Sequence, residues 1–247
     1  MKKTSSYSII YQDEAVLAVN KAAGLAVLPG RGRTESLIKQ LEADPRLAGR
    51  KPLLVHRIDA DTSGLVLLAL QADAQKKISE QFHNRTISKE YWALVRGMPL
   101  HESGSVDMPI GVDPNNSKQM VIRGLEPKKS RTKWILGQRF DGVTLLKVFP
   151  VTGRRHQIRV HLKAMGYPLV VDPLYGGTEL KLSEFKRRFK LGKTQEERPL
   201  LARLSLHARS LTFIHPLSGQ EMKLEAELPK DYRATLEALE KWASRGG

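Results

Sequence analysis

The sequence predicts a mixed α/β fold, and two neighbouring stretches carry that prediction. Residues 65–70 form an unbroken apolar run, which is short enough for a strand buried on both faces. Residues 72–82 follow and place Ala74, Ile78 and Phe82 at helical spacing, which predicts an amphipathic helix. With 247 residues, the chain is long enough for one large domain or two small ones with a hydrophobic core.

The other predicted elements follow from the same two periodicities. Alternating or apolar runs predict strands at residues 8–11, 15–19, 85–95, 132–136 and 143–149. Helical spacing predicts a helix at 34–43 with Thr34 as its N-cap, and a closing helix at 231–245 that packs through Tyr232, Leu236, Leu239 and Trp242. Residues 97–131 indicate short strands and exposed loops. We find no repeat or linker, so we expect one domain over residues 7–243, with flexible tails at 1–6 and 244–247.

The composition narrows the class of protein. The 41 lysines and arginines exceed the 26 acidic residues, which gives a formal net charge of +15 and favours a polyanionic partner. The chain has no cysteine, which excludes a disulfide framework, a thiol nucleophile and a cysteine-ligated zinc site. No stretch reaches the ~18 to 20 apolar residues of a membrane span, and the N-terminus does not resemble a signal peptide. We therefore expect a cytoplasmic protein that does not enter membranes.

A polar cluster stands immediately before the buried strand. Residues 55–64 contain a histidine, an arginine, two carboxylates and two hydroxyls, and they end in a glycine. Catalytic groups need a rigid base, so a polar cluster at the mouth of a buried strand is typical of an active site. The alternative is a polar turn capped by Asp and Thr side chains, and the residue types alone leave both interpretations open.

The order of residues in this cluster resembles a family signature. H-R-I-D-A-D-T-S-G at residues 56–64 closely resembles the H-R-[LI]-D-x-x-T-S-G signature of the RluA-type pseudouridine synthases. Further stretches resemble the same family in the right order: N-K-A-A-G at 20–24, K-E-Y-W-A-L-V at 89–95, T-G-R-R-H-Q-I-R-V-H at 152–161, G-Y-P-L-V-V-D-P-L-Y-G at 166–176 and L-H-A-R-S-L-T-F-I-H-P at 206–216. One departure is Ala22, where the family usually has a proline. The resemblance covers nearly the whole chain.

The resemblance implies both a fold and a reaction. The implied fold is a pseudouridine-synthase-like α/β (α+β) domain, with a large, mixed, mostly antiparallel bent sheet, flanking helices and a central basic cleft. It implies a stand-alone catalytic domain without the small N-terminal S4-like RNA-binding domain that many relatives carry. The implied activity isomerises a specific uridine in structured RNA, tRNA or rRNA, to pseudouridine, with flipping of the target base. It needs no cofactor, and a monomer is expected.

The resemblance also implies roles for individual residues. Asp59 stands where the family has its catalytic nucleophile, whereas Asp61 falls at a variable position. A buried carboxylate stays ionised only beside a cation, and the resemblance implies that Arg159 supplies this salt bridge. Tyr91 is implied to lie against the target base and to assist removal of its C5 proton. Arg57 is implied to enter the space that the flipped nucleotide leaves.

The remaining RNA contacts are predicted from charge, position and resemblance. They are Lys21, His56, Thr62, Arg154, Arg155 and His156. His56 is equally consistent with a buried structural role, and Lys21 with a solvated surface lysine. We expect a helix after Gly153 on which Arg155 and Arg159 lie one turn apart, at an N-terminus suited to a phosphate or carboxylate.

Two alternatives from other functional classes remain open at this point. His56, Asp59, Asp61, His156 and His161 could bind a divalent ion in a metal-dependent RNA hydrolase. The two later histidines are five residues apart, which is a poorer facing pair on a helix than three or four, and nothing forms a compact zinc signature. We therefore expect no metal. A non-catalytic RNA-binding or chaperone protein on the same fold is the other alternative.

Overall fold

The computed structural model describes residues 6–30, 35–186, 188–190 and 196–243. In chain order the elements are β1 (Tyr7–Gln12), β2 (Val16–Lys21), α1 (Leu37–Glu42), a 3-10 turn (Pro45–Leu47), β3 (Leu53–Leu54), β4 (Ser63–Ala69), α2 (Ala72–Asn84), β5 (Ser88–Arg96), β6 (Ser103–Asp107), β7 (Ile110–Val112), β8 (Met120–Ile122), β9 (Leu125–Lys128), β10 (Arg131–Phe140), β11 (Val143–Pro150), α3 (Gln157–Ala164), a second 3-10 turn (Leu182–Glu184), β12 (Leu206–Ile214), β13 (Glu221–Glu225) and α4 (Lys230–Ala243). The chain divides into two compact units, Met1–Tyr91 with His207–Glu227, and Trp92–Leu206 with Leu228–Gly247.

The first unit is built on β4. Strand β2 pairs antiparallel with β4 along its length and with β1 on its other side, whereas β12 runs parallel to the start of β4 and pairs antiparallel with β13. All seven residues of β4 are buried. Val66 and Leu68 belong to one apolar cluster and Leu65 and Leu67 to another, so alternate side chains enter different cores. The strand is therefore buried on both faces, as its apolar run predicts.

The second unit combines a long hairpin with a small sheet. Strands β10 and β11 pair antiparallel across the turn at Asp141 and Gly142, and β6 pairs with the other edge of β10. Gly142 has a φ of +68°, which a tight hairpin turn favours in glycine. Strands β8, β7 and β9 form a separate three-stranded antiparallel sheet. Helix α4 contributes Tyr232 and Leu239 to the apolar core of this unit.

The mixed α/β class is confirmed, and both units contain mostly antiparallel pairs. The bend of the sheet, the central cleft and the single domain stay predictions. Helix α1 begins at Leu37, with the Ser36 hydroxyl accepting the Lys39 N–H, whereas the predicted cap Thr34 lies outside the described residues. The packing predicted for Trp242 is wrong, because its side chain is 38% exposed and its ring instead lies 4.6 Å from Lys186 Nζ. Among the described helices, none is long and apolar enough to cross a membrane.

Candidate active site

The loop that carries Asp59 connects β3 to β4 in the first unit. Asp59 is half-buried, whereas Arg57 and Asp61 on either side of it are exposed. The Thr62 N–H donates to the Asp59 carbonyl at 3.2 Å, which closes a turn and brings the chain into β4. The Thr62 side chain is only 1% exposed. The prediction of Thr62 as an RNA contact is therefore wrong, because a residue enclosed at the start of a buried strand offers no surface to RNA.

Lys21 fastens this loop from the end of β2. Its side chain is 0% exposed, and its Nζ donates to the carbonyls of Ala22, Leu25 and Ala60 at 2.8 to 2.9 Å. The Ala60 carbonyl also accepts the Gly24 N–H at 2.9 Å. Both interpretations of Lys21, as an RNA contact and as a solvated surface lysine, are therefore wrong. Its ammonium instead bonds three backbone carbonyls and ties the 22–25 loop to the residue that follows Asp59.

The last residues of the central motif are joined to β12. The Ser63 hydroxyl lies 2.9 Å from His207 Nδ1, and His207 Nε2 lies 3.3 Å from the Ala226 carbonyl. Because that carbonyl can only accept, Nε2 carries the ring proton and Nδ1 accepts from Ser63. Gly64, with a φ of +112°, faces Ala208 so closely that an added Cβ would lie 2.2 Å from the Ala208 oxygen. The motif needs its serine and glycine for this junction.

His56 fills a gap in the edge of β4. Its Nε2 accepts the Leu67 N–H at 2.9 Å, one residue before the two positions at which β3 pairs with β4. Its ring stacks on Phe82 of α2, with 4.7 Å between the ring centroids. Burial, and then the positive charge of Lys89, lower the pKa of His56 to about 3. A neutral ring that replaces a strand carbonyl is structural, which favours that alternative over the predicted RNA contact.

Tyr91 lies close enough to Asp59 to respond to its charge. Burial, and then the negative charge of Asp59, raise the pKa of the Tyr91 hydroxyl well above its usual range, so the side chain stays a neutral phenol. Its half-buried side chain packs against the apolar cluster that contains Ile58 and Ala208. Two residues earlier on the same strand, Lys89 has its pKa lowered to about 8 by burial and by the charge of Arg85. The first unit thus places the Tyr91 phenol near the Asp59 carboxylate, and Lys89 near Arg85 and His56.

Arg159 lies in the second unit, on the buried side of α3. Its Nε and Nη2 donate to the two carboxylate oxygens of Asp172 at 2.8 and 2.7 Å, and both side chains are almost fully buried. The guanidinium lies over the ring of Tyr175, with 4.9 Å from Cζ to the ring centroid. The predicted pairing of Arg159 with Asp59 stays a prediction.

The start of α3 differs from the prediction. The helix begins at Gln157, after His156 in a left-handed conformation with a φ of +55°, so Arg155 precedes the helix and is not one turn from Arg159 on it. The Gln157 amide explains the shift. Its oxygen accepts the Thr152 hydroxyl and the Arg154 N–H, and its nitrogen donates to the Arg131 carbonyl and the Thr132 hydroxyl. This network holds the chain in a turn until Gln157.

The other predicted contacts of the second unit occupy different environments. Arg154 and Arg155 are exposed. The Arg154 side chain donates to the Lys129 carbonyl, and the Arg155 side chain donates to the carbonyls of Ser117 and Gln119. His156 is half-buried, with its Nδ1 2.8 Å from the Tyr175 hydroxyl. All three predicted RNA contacts remain predictions.

The metal alternative finds little support in these side chains. Both ring nitrogens of the buried His161 are engaged, Nδ1 with the Thr132 hydroxyl and Nε2 with the Met108 carbonyl. His56 uses its Nε2 as the acceptor described above. Across the described ranges, no group of three or more histidine or carboxylate side chains is placed to hold a metal ion.

Sequence reasoning missed the roles of Asp172 and His207, to which the structure gives clear partners, and of Lys89, whose pKa the first unit lowers. Each stands inside a stretch that resembles the family, which is the signal that could have identified it. The pairing of His207 with Ser63 could not be inferred from the sequence, because the two residues are 144 positions apart. The pairing of Asp172 with Arg159 could not be inferred either, because it depends on how the chain turns back after α3.

Comparison with known proteins agrees with the resemblance. The model of the RNA pseudouridylate synthase family matches residues 15–164. The chain is 37% identical over 232 residues to ribosomal large subunit pseudouridine synthase C of Escherichia coli (strain K12), covering 94% of this chain and 69% of that protein. It is 35% identical over 241 residues to ribosomal large subunit pseudouridine synthase D of Xanthomonas campestris pv. campestris, covering 96% and 71%. The solved structure of human RNA Pseudouridylate Synthase Domain Containing 4 superposes with a TM-score of 0.72 at 26% identity, covering 94% of this chain and 92% of that one. The chain therefore belongs to the RNA pseudouridylate synthase family of isomerases.

Proposed function

We propose that this protein isomerises a uridine of large-subunit ribosomal RNA to pseudouridine, with Asp59 as the nucleophile. The observation that carries the proposal is the proximity of Asp59 to Tyr91, through which the carboxylate raises the pKa of the phenol. The choice of RNA rests on the relatives, which are named as ribosomal large subunit synthases. The formal charge of +15 supports an RNA partner of either kind, ribosomal or transfer.

In the proposed reaction the bond between uracil N1 and ribose C1′ breaks, and a bond between C5 and C1′ forms. The C5 proton leaves and N1 gains a proton, so atoms and charge balance without a cofactor. The proposal gives the Asp59 carboxylate the reacting role on any of three routes: attack on ribose C1′, attack on the base, or assistance in glycal formation. Tyr91, as a neutral phenol, packs on the uracil and offers a hydroxyl near C5, whereas its raised pKa disfavours a phenolate as the base.

Access to the uridine requires that it leave its stack. Unstacking costs a few kcal/mol and is easiest in loops and bulges. Arg57 is exposed, and its guanidinium makes no hydrogen bond to another of the described residues, which suits it to enter the vacated space. Lys89 adds a cation on the strand that carries Tyr91, where it can meet a phosphate.

The first experiment measures tritium release from RNA labelled at C5 of uridine, with transcripts of large-subunit rRNA and of tRNA. Release from rRNA, and its loss in Asp59→Asn with RNA affinity kept within about threefold, is the expected result. Asp61→Asn is the matched control, because it removes the same charge two residues away at an exposed position. Full activity of Asp59→Asn would refute the nucleophile.

The same assay separates the alternatives. Release from tRNA alone would move the substrate to transfer RNA. Tight RNA binding without release from either RNA would favour a non-catalytic binding protein, and strand cleavage would favour the hydrolase. For Arg159→Ala we expect a loss of rate far beyond the loss of affinity, because its proposed role is to stabilise the Asp59 carboxylate. A loss confined to affinity would reduce Arg159 to a phosphate contact.

A further inference from the structure

The buried carboxylate of Asp172 holds Arg159 from one side. Asp172 Oδ2 accepts from Nε and Oδ1 accepts from Nη2, so the two groups meet edge to edge, and the exposed fractions of the two side chains are 1% and 3%. Two parallel bonds of this kind define the plane of the guanidinium as well as its distance. The third guanidinium nitrogen of Arg159, Nη1, makes no bond to Asp172 and points away from the edge that the carboxylate contacts.

Asp172 is itself fixed by the turn that it begins. Its carbonyl accepts the N–H groups of Tyr175, Gly176 and Gly177 at 3.0 to 3.1 Å. Its Oδ1 also accepts the Leu174 N–H at 3.2 Å. Gly177 packs so closely that an added Cβ would lie 2.4 Å from the Asp172 nitrogen. The carboxylate therefore has little freedom to move with the arginine.

Tyr175 holds the face of the same guanidinium. Its ring lies 4.9 Å from Arg159 Cζ, and its hydroxyl accepts the Met120 N–H at 2.9 Å and contacts His156 Nδ1 at 2.8 Å. These two hydroxyl contacts hold the far end of the ring in place. Arg159 is fixed at one edge by a carboxylate and on one face by an aromatic ring.

A buried ion pair is weak evidence for a stabilising role, because desolvation of both charges offsets their attraction. What such a pair supplies reliably is orientation. We propose that Asp172 is a positioning residue that, with Tyr175 behind it, orients Arg159 for catalysis. This inference rests on the proposed function, in which Arg159 stabilises the Asp59 carboxylate.

Asp172→Asn tests the inference cleanly. The amide oxygen can keep the two bonds that Oδ1 accepts, from the Leu174 N–H and from Arg159 Nη2, so the turn is retained. The amide nitrogen replaces Oδ2 and places a donor opposite the Nε–H donor of Arg159, so that hydrogen bond is lost. We expect the single-turnover rate to fall about 100-fold, as small misplacements of catalytic groups do, with RNA affinity within about threefold. A purely structural loss would lower the rate and the RNA affinity together.

Asp231→Asn is the matched control. Asp231 pairs with Arg203 in the same edge-to-edge manner, Oδ2 with Nε at 2.7 Å and Oδ1 with Nη2 at 2.9 Å, but the Asp231 side chain is 45% exposed. We expect this variant to keep the wild-type rate. In an Arg159→Ala background, Asp172→Asn should lower the rate no further, because Asp172 acts through Arg159.

Each outcome bears on one claim. If the wild type releases no tritium, the proposed function fails. If the wild type is active and Asp172→Asn keeps a rate within about threefold, loses rate and RNA affinity together, or adds its full effect to Arg159→Ala, the positioning role fails. Should a thermal melt show Asp172→Asn unfolded at the assay temperature, Tyr175→Phe replaces it. That variant keeps the salt bridge but removes the hydroxyl contacts to Met120 and His156 that hold the ring, and we expect about a tenfold loss of rate; a rate within about twofold would overturn the proposal.

Discussion

The neutral His56 ring should make the stability of the first unit depend on pH in a specific window. The pKa of His56 is lowered from its ordinary value of 6.5 to about 3, so the unfolded chain binds a proton below pH 6.5 that the folded chain does not. Stability from the neutral ring is therefore present above pH 6.5 and is lost as the pH falls towards 3. A charged ring can no longer accept the Leu67 N–H, which supplies the structural reason.

The size of the effect follows from proton linkage. One proton bound only by the unfolded state changes the unfolding free energy by about 1.4 kcal/mol per pH unit. Between pH 6.5 and pH 5.0, a shift from 6.5 to about 3 gives a loss of roughly 1.6 kcal/mol. Other titrating groups add to the total, so the expected result is a difference between variants and not the slope of the wild type alone.

His56→Gln isolates the contribution. Its amide oxygen reaches the Leu67 N–H about as Nε2 does and does not titrate, although the stacking on Phe82 is lost. Urea unfolding at pH 6.5 and 5.0 should show a free-energy loss about 1.6 kcal/mol smaller in the variant than in the wild type. His83→Gln, at an exposed position of α2, controls for the loss of one imidazole. Equal losses of unfolding free energy in the wild type and in His56→Gln would refute the neutral ring.

The junctions around the site lead to three further expectations. Gly64→Ala should lower the unfolding free energy by roughly 3 kcal/mol or more, because its Cβ would meet the Ala208 backbone. The control Gly142→Ala, which has open space around the added Cβ, should lower it by only about 1 kcal/mol. Equal losses in urea melts would contradict the close packing of Gly64 on Ala208. Lys21→Met should lower stability by about 2 kcal/mol with RNA affinity unchanged, since the carbonyls of Ala22 and Leu25 lose the ammonium that bonds them. Weaker RNA binding at an unchanged melting temperature would restore the interpretation of Lys21 as an RNA contact. Lys89 has its pKa at about 8, so at pH 8 an amine-reactive ester should acylate it faster than the exposed Lys76. Peptide mass spectrometry follows both reactions, and a slower reaction at Lys89 would contradict its lowered pKa.

The sequence predicted local features well where one periodicity dominated. The run at 65–70 became the central buried strand, and Ala72–Asn84 became the amphipathic helix. The start of α3 was predicted wrongly because a long-range network through Gln157 delays the helix beyond Arg155. No local pattern contains the carbonyls and hydroxyls that the Gln157 amide meets. Tertiary hydrogen bonds therefore decided that boundary.

The candidate site was predicted by residue type but not by environment. Asp59 and Tyr91 were named from motifs, and their electrostatic coupling lies within the first unit. Lys21 was judged from its chemistry, which is typical of surfaces, yet the Ala60 carbonyl, 39 residues away, helps to make its burial possible. A lysine enters a core only where acceptors converge, and that convergence belongs to the fold.

The stretches that resemble the family act in interlocked sets. In the first unit, the lysine of N-K-A-A-G holds the loop that follows Asp59, and the histidine and alanine of L-H-A meet the serine and glycine that end the central motif. In the second unit, the aspartate and tyrosine of D-P-L-Y-G hold the last arginine of T-G-R-R-H-Q-I-R.

Each set thus combines a group suited to chemistry with groups that only fix its position. The reaction rate falls when a reacting carboxylate or guanidinium is displaced by about 1 Å. The groups that fix its position therefore matter for the rate as much as the reacting group itself. A substitution in either kind of group should therefore lower the rate. The two kinds differ in a second measurement, the unfolding free energy: loss of a fixing group such as Lys21 should also lower stability, whereas loss of the Asp59 carboxylate leaves the three hydrogen bonds of Lys21 in place.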